Sequence, residues 1–188
     1  MKKLFFTLLL VLSFTANAQF TLESDDLNGQ YGNTFMFDAM GCTGDNFSPE
    51  LHWKNAPEDT KSFVIILFDQ DAPVPLQKGW YHWVVAQIPA EVTKLERGAG
   101  NPDKGAAMPE GAIQTLTDFG AHEYKGGCPQ SGIHSYTFKI FALKTDFKTS
   151  ALGEVHKDMT PGAISFLASL DALDVATLTV GCKSTIKQ

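Results

Sequence analysis

The chain has 188 residues, with 15 basic and 21 acidic side chains and a formal charge of −6 at neutral pH. This length suits one domain with a sizeable hydrophobic core. Because the net charge is negative and the basic residues are scattered, nucleic acids and anionic membrane surfaces are not expected as partners.

The first 18 residues have the pattern of a secretory signal peptide. Lys2 and Lys3 are followed by an apolar run over residues 4–14 and a small-x-small cleavage signature that ends at Ala18. The run is too short to span a bilayer, and no later apolar segment approaches transmembrane length. We therefore expect a periplasmic or secreted protein with one domain over residues 19–188, whose formal charge is −8 because two lysines are lost.

Three apolar segments in the middle of the chain predict β-strands. Residues 62–68 form a short, continuous apolar run rich in β-branched and aromatic residues, which is typical of a strand buried on both faces. Residues 80–88 and 134–143 predict two more strands. In the last one, the side-chain period of two places His134 and Tyr136 next to each other on one face.

The segment from Asp69 to Pro73 follows the first of these strands. Asp side chains bond nearby backbone N–H groups and Pro ends a strand ladder, so this segment on its own predicts a turn. Calcium binding is an alternative, but the glycine and the terminal Glu of an EF-hand loop are missing. His82 and His134, each taken alone, are typical of satisfied core histidines.

A long stretch rich in Gly and Pro, residues 89–131, separates the second and third strands. Loops of this length are usually functional or disordered. Apolar anchors within it favour an ordered binding loop: Ile113, Leu116, Phe119 and Tyr124.

The C-terminal part predicts one or two helices and a closing strand at residues 175–180. Thr160 is a helix N-cap, and Pro161 occupies the first helical position. A shorter helix is expected around residues 151–157. The longer helix is expected to be amphipathic, with apolar residues at i, i+4 and i+7: Phe166, Leu170 and Leu173.

Three cysteines would meet an oxidising compartment after secretion: Cys42, Cys128 and Cys182. One disulfide and one free thiol is the simplest outcome, but spacing alone does not choose among the three pairings. A zinc site is the competing interpretation, yet the sequence has no C-x-x-C or His-x-His spacing. We expect no metal and no cofactor.

The order of these segments resembles the phosphatidylethanolamine-binding protein family, also called Raf-kinase-inhibitor-like proteins. "GCTGDNFSPELHWKNAPEDTKSFVIILFDQDAP" is similar to the family's first conserved block, "GWYHWVVAQIP" to its Trp-x-His-Trp strand, and "DFGAHEYKGGCPQSGIHSYTFKIFAL" to the block in which a Gly-Pro-rich loop precedes His-Arg-Tyr-x-Phe. The resemblance implies a mainly β fold, a sandwich around a central, largely antiparallel sheet with peripheral helices. It also implies a pocket for phosphate or a similar small anion.

The same resemblance implies ligand-binding roles for five residues: Asp69, His82, Gly126, His134 and Tyr136. Two imidazoles can donate to an oxyanion and gain charge near neutral pH, a Tyr hydroxyl adds a donor, and a Gly backbone can approach closely. Asp69 would orient a histidine and favour its protonated form. Four more residues are expected to support the site: Asp71, Pro73, Trp80 and Pro129. Asp71 would do so by bracing the turn.

Three features depart from the family pattern. Gln70 replaces a Pro, Ser135 replaces an Arg, and the proline loop is reduced to "GGCPQSG". Loss of the Pro should loosen the turn, and loss of the Arg removes a fixed positive charge beside the pocket. Cysteines of bacterial members favour a disulfide between Cys42 and Cys128, which would leave Cys182 free.

The function that the resemblance implies is the binding of a small anionic ligand, without enzymatic activity, in a protein that modulates or inhibits an unidentified protein partner. Two other classes stay open. One is a hydrolase that uses His82 and His134 as acid and base, although the sequence has no G-x-S-x-G motif. The other is a protein-interaction module in which the pocket is secondary. A homodimer is compatible with each interpretation.

Overall fold

The structure is a computed structural model that describes residues 18–72 and 78–186. The predicted signal peptide, apart from Ala18, and Pro73 lie outside the described residues. Within that part of the chain, no helix is long and apolar enough to cross a membrane.

The described residues form strands, one α-helix and a short 3₁₀ helix at Asn33–Phe35. The strands in chain order are β1 (Thr21–Glu23), β2 (Leu51–Lys54), β3 (Ser62–Asp69), β4 (Trp80–Pro89), β5 (Lys94–Leu95), β6 (Ile113–Gln114), β7 (Ile133–Leu143), β8 (Thr149–Ser150), β9 (Gly153–Glu154) and β10 (Ala172–Lys183). The helix α1 spans Pro161–Asp171. The four strands predicted from the sequence are confirmed as β3, β4, β7 and β10.

The large sheet has the strand order β10-β7-β3-β4-β6, and all of its neighbouring pairs are antiparallel. A smaller sheet, β1-β2-β5, covers one of its faces and shares one hydrophobic core with it. Helix α1 covers the opposite face. The predicted mainly β sandwich around a central antiparallel sheet is therefore confirmed.

Side chains of the central strand β3 alternate between the two cores. Phe63, Ile65 and Leu67 belong to the core under the small sheet, whereas Val64 and Ile66 belong to the core under α1. Because both faces of β3 are covered, neither face of its apolar run is open to water. This confirms the prediction of a strand buried on both faces.

Helix α1 begins as predicted but buries a different face. The Thr160 hydroxyl accepts a hydrogen bond from the Ala163 N–H at 3.3 Å, and Pro161 starts the helix. Phe166 and Leu170 are 57% and 58% exposed, and Leu173 lies in β10. The buried face carries Ile164, Leu167 and Ala168. The helix has apolar residues on two sides. The side that packs on the sheet is not the one that the i, i+4, i+7 pattern predicted.

The prediction of a second helix around residues 151–157 is wrong. Strands β8 and β9 form a small hairpin there, in which Thr149 pairs with Glu154. Gly153 has a φ of 101°, a backbone conformation that a helix does not allow and that glycine adopts without steric cost. The fold therefore has one C-terminal helix in the described residues.

The stretch over residues 89–131 is ordered and carries the short strands β5 and β6. Its main anchor is Tyr124, which is fully buried and donates a hydrogen bond to the Phe35 carbonyl at 2.7 Å. Phe119 is partly buried and packs against Phe37. The loop is thus held against the sheet on the side where β3 ends.

Candidate functional site

A cavity of about 220 Å³ opens where β3 ends and β4 and β7 begin. Asp69, the last residue of β3, pairs with Trp80 on one side and with Tyr136 on the other. The sheet register thus brings residues from three strands to one place. The lining residues are Met40, Asp69, Ala72, Trp80, His82, Phe119, Cys128, Gln130, His134 and Tyr136. Four of the five predicted ligand residues are among them.

A carboxylate and an imidazole form the base of the cavity. His134 Nδ1 lies 2.8 Å from Asp69 Oδ2, and the two residues are 6% and 1% exposed. Since the carboxylate accepts, His134 Nδ1 carries the hydrogen, which leaves Nε2 for a ligand. Asp69 orients His134 as the resemblance implied.

The other oxygen of Asp69 and the carboxylate of Asp71 fix the turn. Asp69 Oδ1 accepts from the Asp71 N–H at 2.9 Å, and Asp71 Oδ2 accepts from the Ser135 N–H at 2.7 Å. The turn after β3 is therefore tied to the start of β7, beside His134. This is the bracing position that was predicted for Asp71.

His82 lies on the other wall in a different environment. Its Nδ1 is 2.9 Å from the Lys125 carbonyl oxygen and 3.2 Å from that of Gly126. Carbonyl oxygens only accept, so Nδ1 carries the hydrogen and Nε2 of the neutral ring has a lone pair. Burial lowers the pKa of His82 to about 4, although the two carbonyls and Asp69 act in the opposite direction. The expectation that both histidines gain charge near neutral pH stays a prediction, and the burial of His82 acts against it.

Tyr136 holds the loop that forms one wall of the cavity. It is 1% exposed, and its hydroxyl accepts a hydrogen bond from the Cys128 N–H at 3.2 Å. Its ring meets that of His82 edge to face at 5.1 Å. Burial, and then the negative charge of Asp69, raise the pKa of Tyr136, so the phenol stays protonated.

Gly126 lies behind His82 rather than in the cavity lining. Its N–H donates to Asn46 Oδ1 at 2.8 Å, so this donor is not free for a ligand. A Cβ at this position would collide with the Phe35 carbonyl oxygen. Close packing of two loops therefore requires a glycine at this position. The prediction had given another reason, the close approach of the backbone to a ligand. Pro129 is buried nearby and also lies outside the lining.

The disulfide between Cys42 and Cys128 is present, as the resemblance implied. It joins residues 86 positions apart, with Cα atoms 5.9 Å from each other. Cys128 lines the cavity, so the bond holds that wall to the segment before β2. Cys182 is free and buried, and burial raises the pKa of its thiol to about 12.

The sequence analysis did not assign several lining residues to the site. Met40, Ala72 and Gln130 come from turns and loops. Ala72 lies in the turn segment from Asp69 to Pro73 and Gln130 in the loop "GGCPQSG", but neither residue was given a role. Phe119 was recognised only as a loop anchor, yet its ring packs against both Trp80 and His82, at 5.7 and 5.1 Å. Apolar side chains thus surround a polar base. No Lys or Arg lines the cavity in the part of the chain that the structure describes.

Another polar cluster lies on β2 and the segment before it. Glu50 accepts hydrogen bonds from His52 Nδ1 at 2.9 Å and from the Asp25 N–H at 2.9 Å. Carboxylates and an imidazole close together can hold a metal ion. Here Glu50 is already bonded to both neighbours, and nothing in the geometry requires a metal.

Comparisons with known proteins agree with the fold. Residues 26–182 match the phosphatidylethanolamine-binding protein family. UPF0098 protein YbcL of Escherichia coli (strain K12) is 42% identical over 145 residues, which cover 74% of this chain and 78% of that protein. UPF0098 protein YbhB of the same strain is 46% identical over 109 residues, covering 57% and 66%.

Solved structures show the same architecture. The crystal structure of E. coli YbcL, described as a new member of the mammalian PEBP family, superposes with a TM-score of 0.79 at 35% identity. The match covers 88% of this chain and 99% of that one. A putative homologue from Chlamydia trachomatis has a TM-score of 0.70 at 24% identity, which supports the fold alone. The chain belongs to the phosphatidylethanolamine-binding protein family.

Proposed function

We propose that this protein binds a small anion, the phosphate or carboxylate group of a small molecule or head group, in the cavity at Asp69, His82 and His134. The observation that carries the proposal is the buried pair of Asp69 and His134 at the base. With Nδ1 held by the carboxylate, a protonated His134 offers its Nε2–H to an anion. The carboxylate of Asp69 fixes the orientation of that ring.

The size and walls of the cavity support a small ligand. Its volume of about 220 Å³ is below the usual range for drug-sized ligands, so it suits a head group rather than a peptide. Trp80 and Phe119 form an apolar wall above the polar base. A ligand with one anionic end and an apolar remainder would match both parts.

The protein would act outside the cytoplasm. Two features support this location: the signal-like segment over residues 1–18, and the disulfide between Cys42 and Cys128. Disulfides form and persist in oxidising compartments. Modulation of a protein partner and the lack of enzymatic activity, both expected from the resemblance, stay predictions.

Thermal unfolding of residues 19–188 with the disulfide intact tests the proposal. Inorganic phosphate and acetate are added in turn, and a ligand at a hundred times its Kd stabilises by about 2.7 kcal/mol. His134→Asn is the informative variant, because the Asn amide can still donate to Asp69 while Nε2 is lost. His122→Asn is its control, since His122 is a partly exposed histidine paired with Asp158 outside the cavity. Stabilisation by neither anion would refute an anion site.

A hydrolase is the second candidate, and the same pair favours it. A carboxylate that orients an imidazole with one free nitrogen is the arrangement of a general base. The Cys128 sulfur is in a disulfide and the Tyr136 hydroxyl accepts from the backbone, so neither is a ready nucleophile. Turnover of simple esters or phosphoesters that is lost in His134→Asn and kept in His122→Asn would establish this function.

A further inference from the structure

Strand β10 forms one edge of the large sheet, and only one end of its outer side is covered. Among the described strands its neighbour in the sheet is β7. Near the end of β10, the Gly181 N–H donates to the Gly29 carbonyl at 3.2 Å, and the Gly181 carbonyl accepts from the Tyr31 N–H at 3.0 Å. The backbone groups of Gly181 therefore point away from β7.

The residues before Gly181 carry free backbone groups on the same side. These groups alternate in direction along an antiparallel strand, so Val175, Thr177 and Thr179 also point theirs away from β7. The Val175 N–H accepts cover from the Asp174 carboxylate, to which it donates at 2.7 Å. Within the described residues, no backbone bond joins Thr177 or Thr179 to a group outside the sheet. The free stretch runs from Val175 to Thr179.

Strand β1 lies nearby but does not pair with this edge. It belongs to the small sheet, where it pairs with β2. A groove of about 270 Å³ is lined by residues 19–23 on one side and residues 175–177 on the other. In the part of the chain that the structure describes, no backbone hydrogen bond crosses it.

The free stretch has the composition of a strand that pairs. Its sequence, "VATLT", is rich in β-branched residues and has no charge, proline or glycine. Natural proteins protect an exposed edge with charges, prolines, bulges or very short strands. Strand β10 is 12 residues long, and the irregularity in its pairing falls at Ala172–Asp174, before the free stretch. Such an edge is suited to the addition of another strand.

Exposed apolar side chains adjoin the edge on the side of the sheet that α1 covers. Val175 pairs with Phe141, which belongs to the core under α1, so both side chains are on that side. Val175 is nevertheless 41% exposed. Three more exposed apolar residues precede it on α1 and at the start of β10: Phe166, Leu170 and Leu173. The edge and this apolar area are continuous.

We propose that a second copy of this chain pairs with β10 along this edge. The two β10 strands run antiparallel about a twofold axis at Thr177, the middle of the free stretch. Thr177 then faces its own copy, and Val175 of each copy faces Thr179 of the other. The two large sheets become one continuous sheet, to which each copy contributes five strands.

The charges along β10 fit a second copy in this orientation. Asp171 and Asp174 lie at its start and Lys183 at its end, while the free stretch between them is uncharged. Antiparallel pairing brings the acidic end of each copy toward the basic end of the other, whereas parallel pairing would bring like charges together. The strand is therefore complementary to itself.

This arrangement places the two cavities away from the interface. His134 in the cavity pairs with Cys182, five residues from Thr177. At a rise of about 3.4 Å per residue, the cavities would lie about 34 Å apart along the strand direction. Association should therefore leave anion binding unchanged, and its test does not depend on the proposed function.

Sedimentation equilibrium of residues 19–188, with the disulfide intact, tests the association from micromolar to millimolar concentrations. The wild-type mass should rise toward twice that of the monomer. In Thr177→Pro, the missing N–H is one that points away from β7, so no bond within the monomer is lost. Both hydrogen bonds at the axis are lost, which should raise the Kd of the dimer roughly tenfold or more.

Thr177→Lys is a second variant, which decides the question if the proline variant does not fold. It places two positive charges opposite each other at the axis and should weaken the dimer. Thr149→Lys is its control, because Thr149 is an exposed strand residue of the β8–β9 hairpin. This control should associate like the wild type.

A cross-link tests the register. Bonded pairs in antiparallel strands have Cα atoms about 5.5 Å apart, which is within the range of a disulfide. Mild oxidation of Thr177→Cys should therefore give a covalent dimer joined at position 177. Thr149→Cys should stay uncoupled under the same conditions.

A dimer that is weakened in the Thr177 variants, kept in Thr149→Lys and cross-linked in Thr177→Cys would support the proposal. A wild-type protein that stays monomeric up to millimolar concentration would overturn it, even if a strand from another protein binds this edge. A dimer that persists in the Thr177 variants, or that does not cross-link in Thr177→Cys, would have its interface elsewhere and would overturn it as well.

Discussion

The two walls of the cavity present the same residue type in opposite ways. On the wall formed by β3 and β7, His134 is paired with the carboxylate of Asp69. On the wall formed by β4 and the loop at residues 125–126, His82 is bonded to neutral carbonyls and is kept neutral by burial. The Nδ1–H group of His134 therefore faces a carboxylate, whereas that of His82 faces two neutral carbonyls. Substitutions in either wall test this difference.

Removal of the carboxylate should destabilise the first wall most. Asp69→Ala leaves His134 buried without its partner and frees the Asp71 N–H. A buried donor left without its acceptor costs about 1–3 kcal/mol, so the loss of both hydrogen bonds should cost about 2–6 kcal/mol in all. Urea unfolding at pH 7 measures the loss.

Asp158→Ala is the matched control for that change. Asp158 pairs with His122 at 2.9 Å, but both side chains are at least one-third exposed. Exposed pairs contribute about 0–1 kcal/mol, so this variant should be close to wild type. A similar loss for both variants would show that burial is not what makes the Asp69 pair strong.

Reduction of the disulfide should loosen the second wall, since Cys128 follows the two carbonyls that hold His82. Loss of a native disulfide costs about 2–5 kcal/mol, and Cys42→Ser should lower the Tm accordingly. Non-reducing mass spectrometry of the wild-type protein should find Cys42 linked to Cys128 and Cys182 as a free thiol. A bridge to Cys182 would contradict the structure.

Acid should destabilise the protein through His82. The pKa of His82 is lowered from 6.5 to about 4 in the folded state, so the unfolded chain binds more protons between these values. The contribution of His82 to the free energy of unfolding is therefore fully present above pH 6.5 and is lost as the pH falls toward 4. It amounts to about 3 kcal/mol. His82→Asn should remove this part of the pH dependence. Equal slopes for the two proteins in urea unfolding from pH 7 to pH 4 would contradict the assignment.

Tyr136→Phe should have the smallest effect. The variant keeps the ring but loses the acceptor of the Cys128 N–H. One neutral hydrogen bond contributes about 0.5–1.5 kcal/mol to stability. Tyr81→Phe is the control, since Tyr81 is a partly exposed residue whose ring packs on Phe68. A decrease of more than about 3 kcal/mol in the free energy of unfolding in urea would mean that the hydroxyl does more than accept this one hydrogen bond.

The sheet and the histidine pair could be predicted from the sequence because their signals are local. The apolar run of β3 and the alternation in β7 predict two strands and place His134 beside Tyr136, and the family resemblance adds Asp69 and His82 to the site. The face of α1 could not be predicted, since Phe166 and Leu170 are as apolar as the residues that pack on the sheet.

The chemistry of each histidine depends on contacts that are distant in sequence. The carbonyl that fixes His82 belongs to Lys125, 43 residues away, and the carboxylate that fixes His134 is 65 residues away. The resemblance assigned Gly126 to the ligand, and its packing against Phe35 has no signal in the sequence. Met40 and Gln130 enter the lining through loops beside the Cys42–Cys128 disulfide.

The protonation of the two rings can be measured directly by ¹H–¹⁵N NMR of the histidine side chains at pH 7. The structure predicts that both rings carry a hydrogen on Nδ1 and that His82 Nε2 stays unprotonated until the pH falls toward about 4. On addition of inorganic phosphate, the ¹⁵N signal of His134 Nε2 should shift as this nitrogen contacts the anion. A His82 ring with hydrogens on both nitrogens at pH 7 would contradict the difference between the two walls.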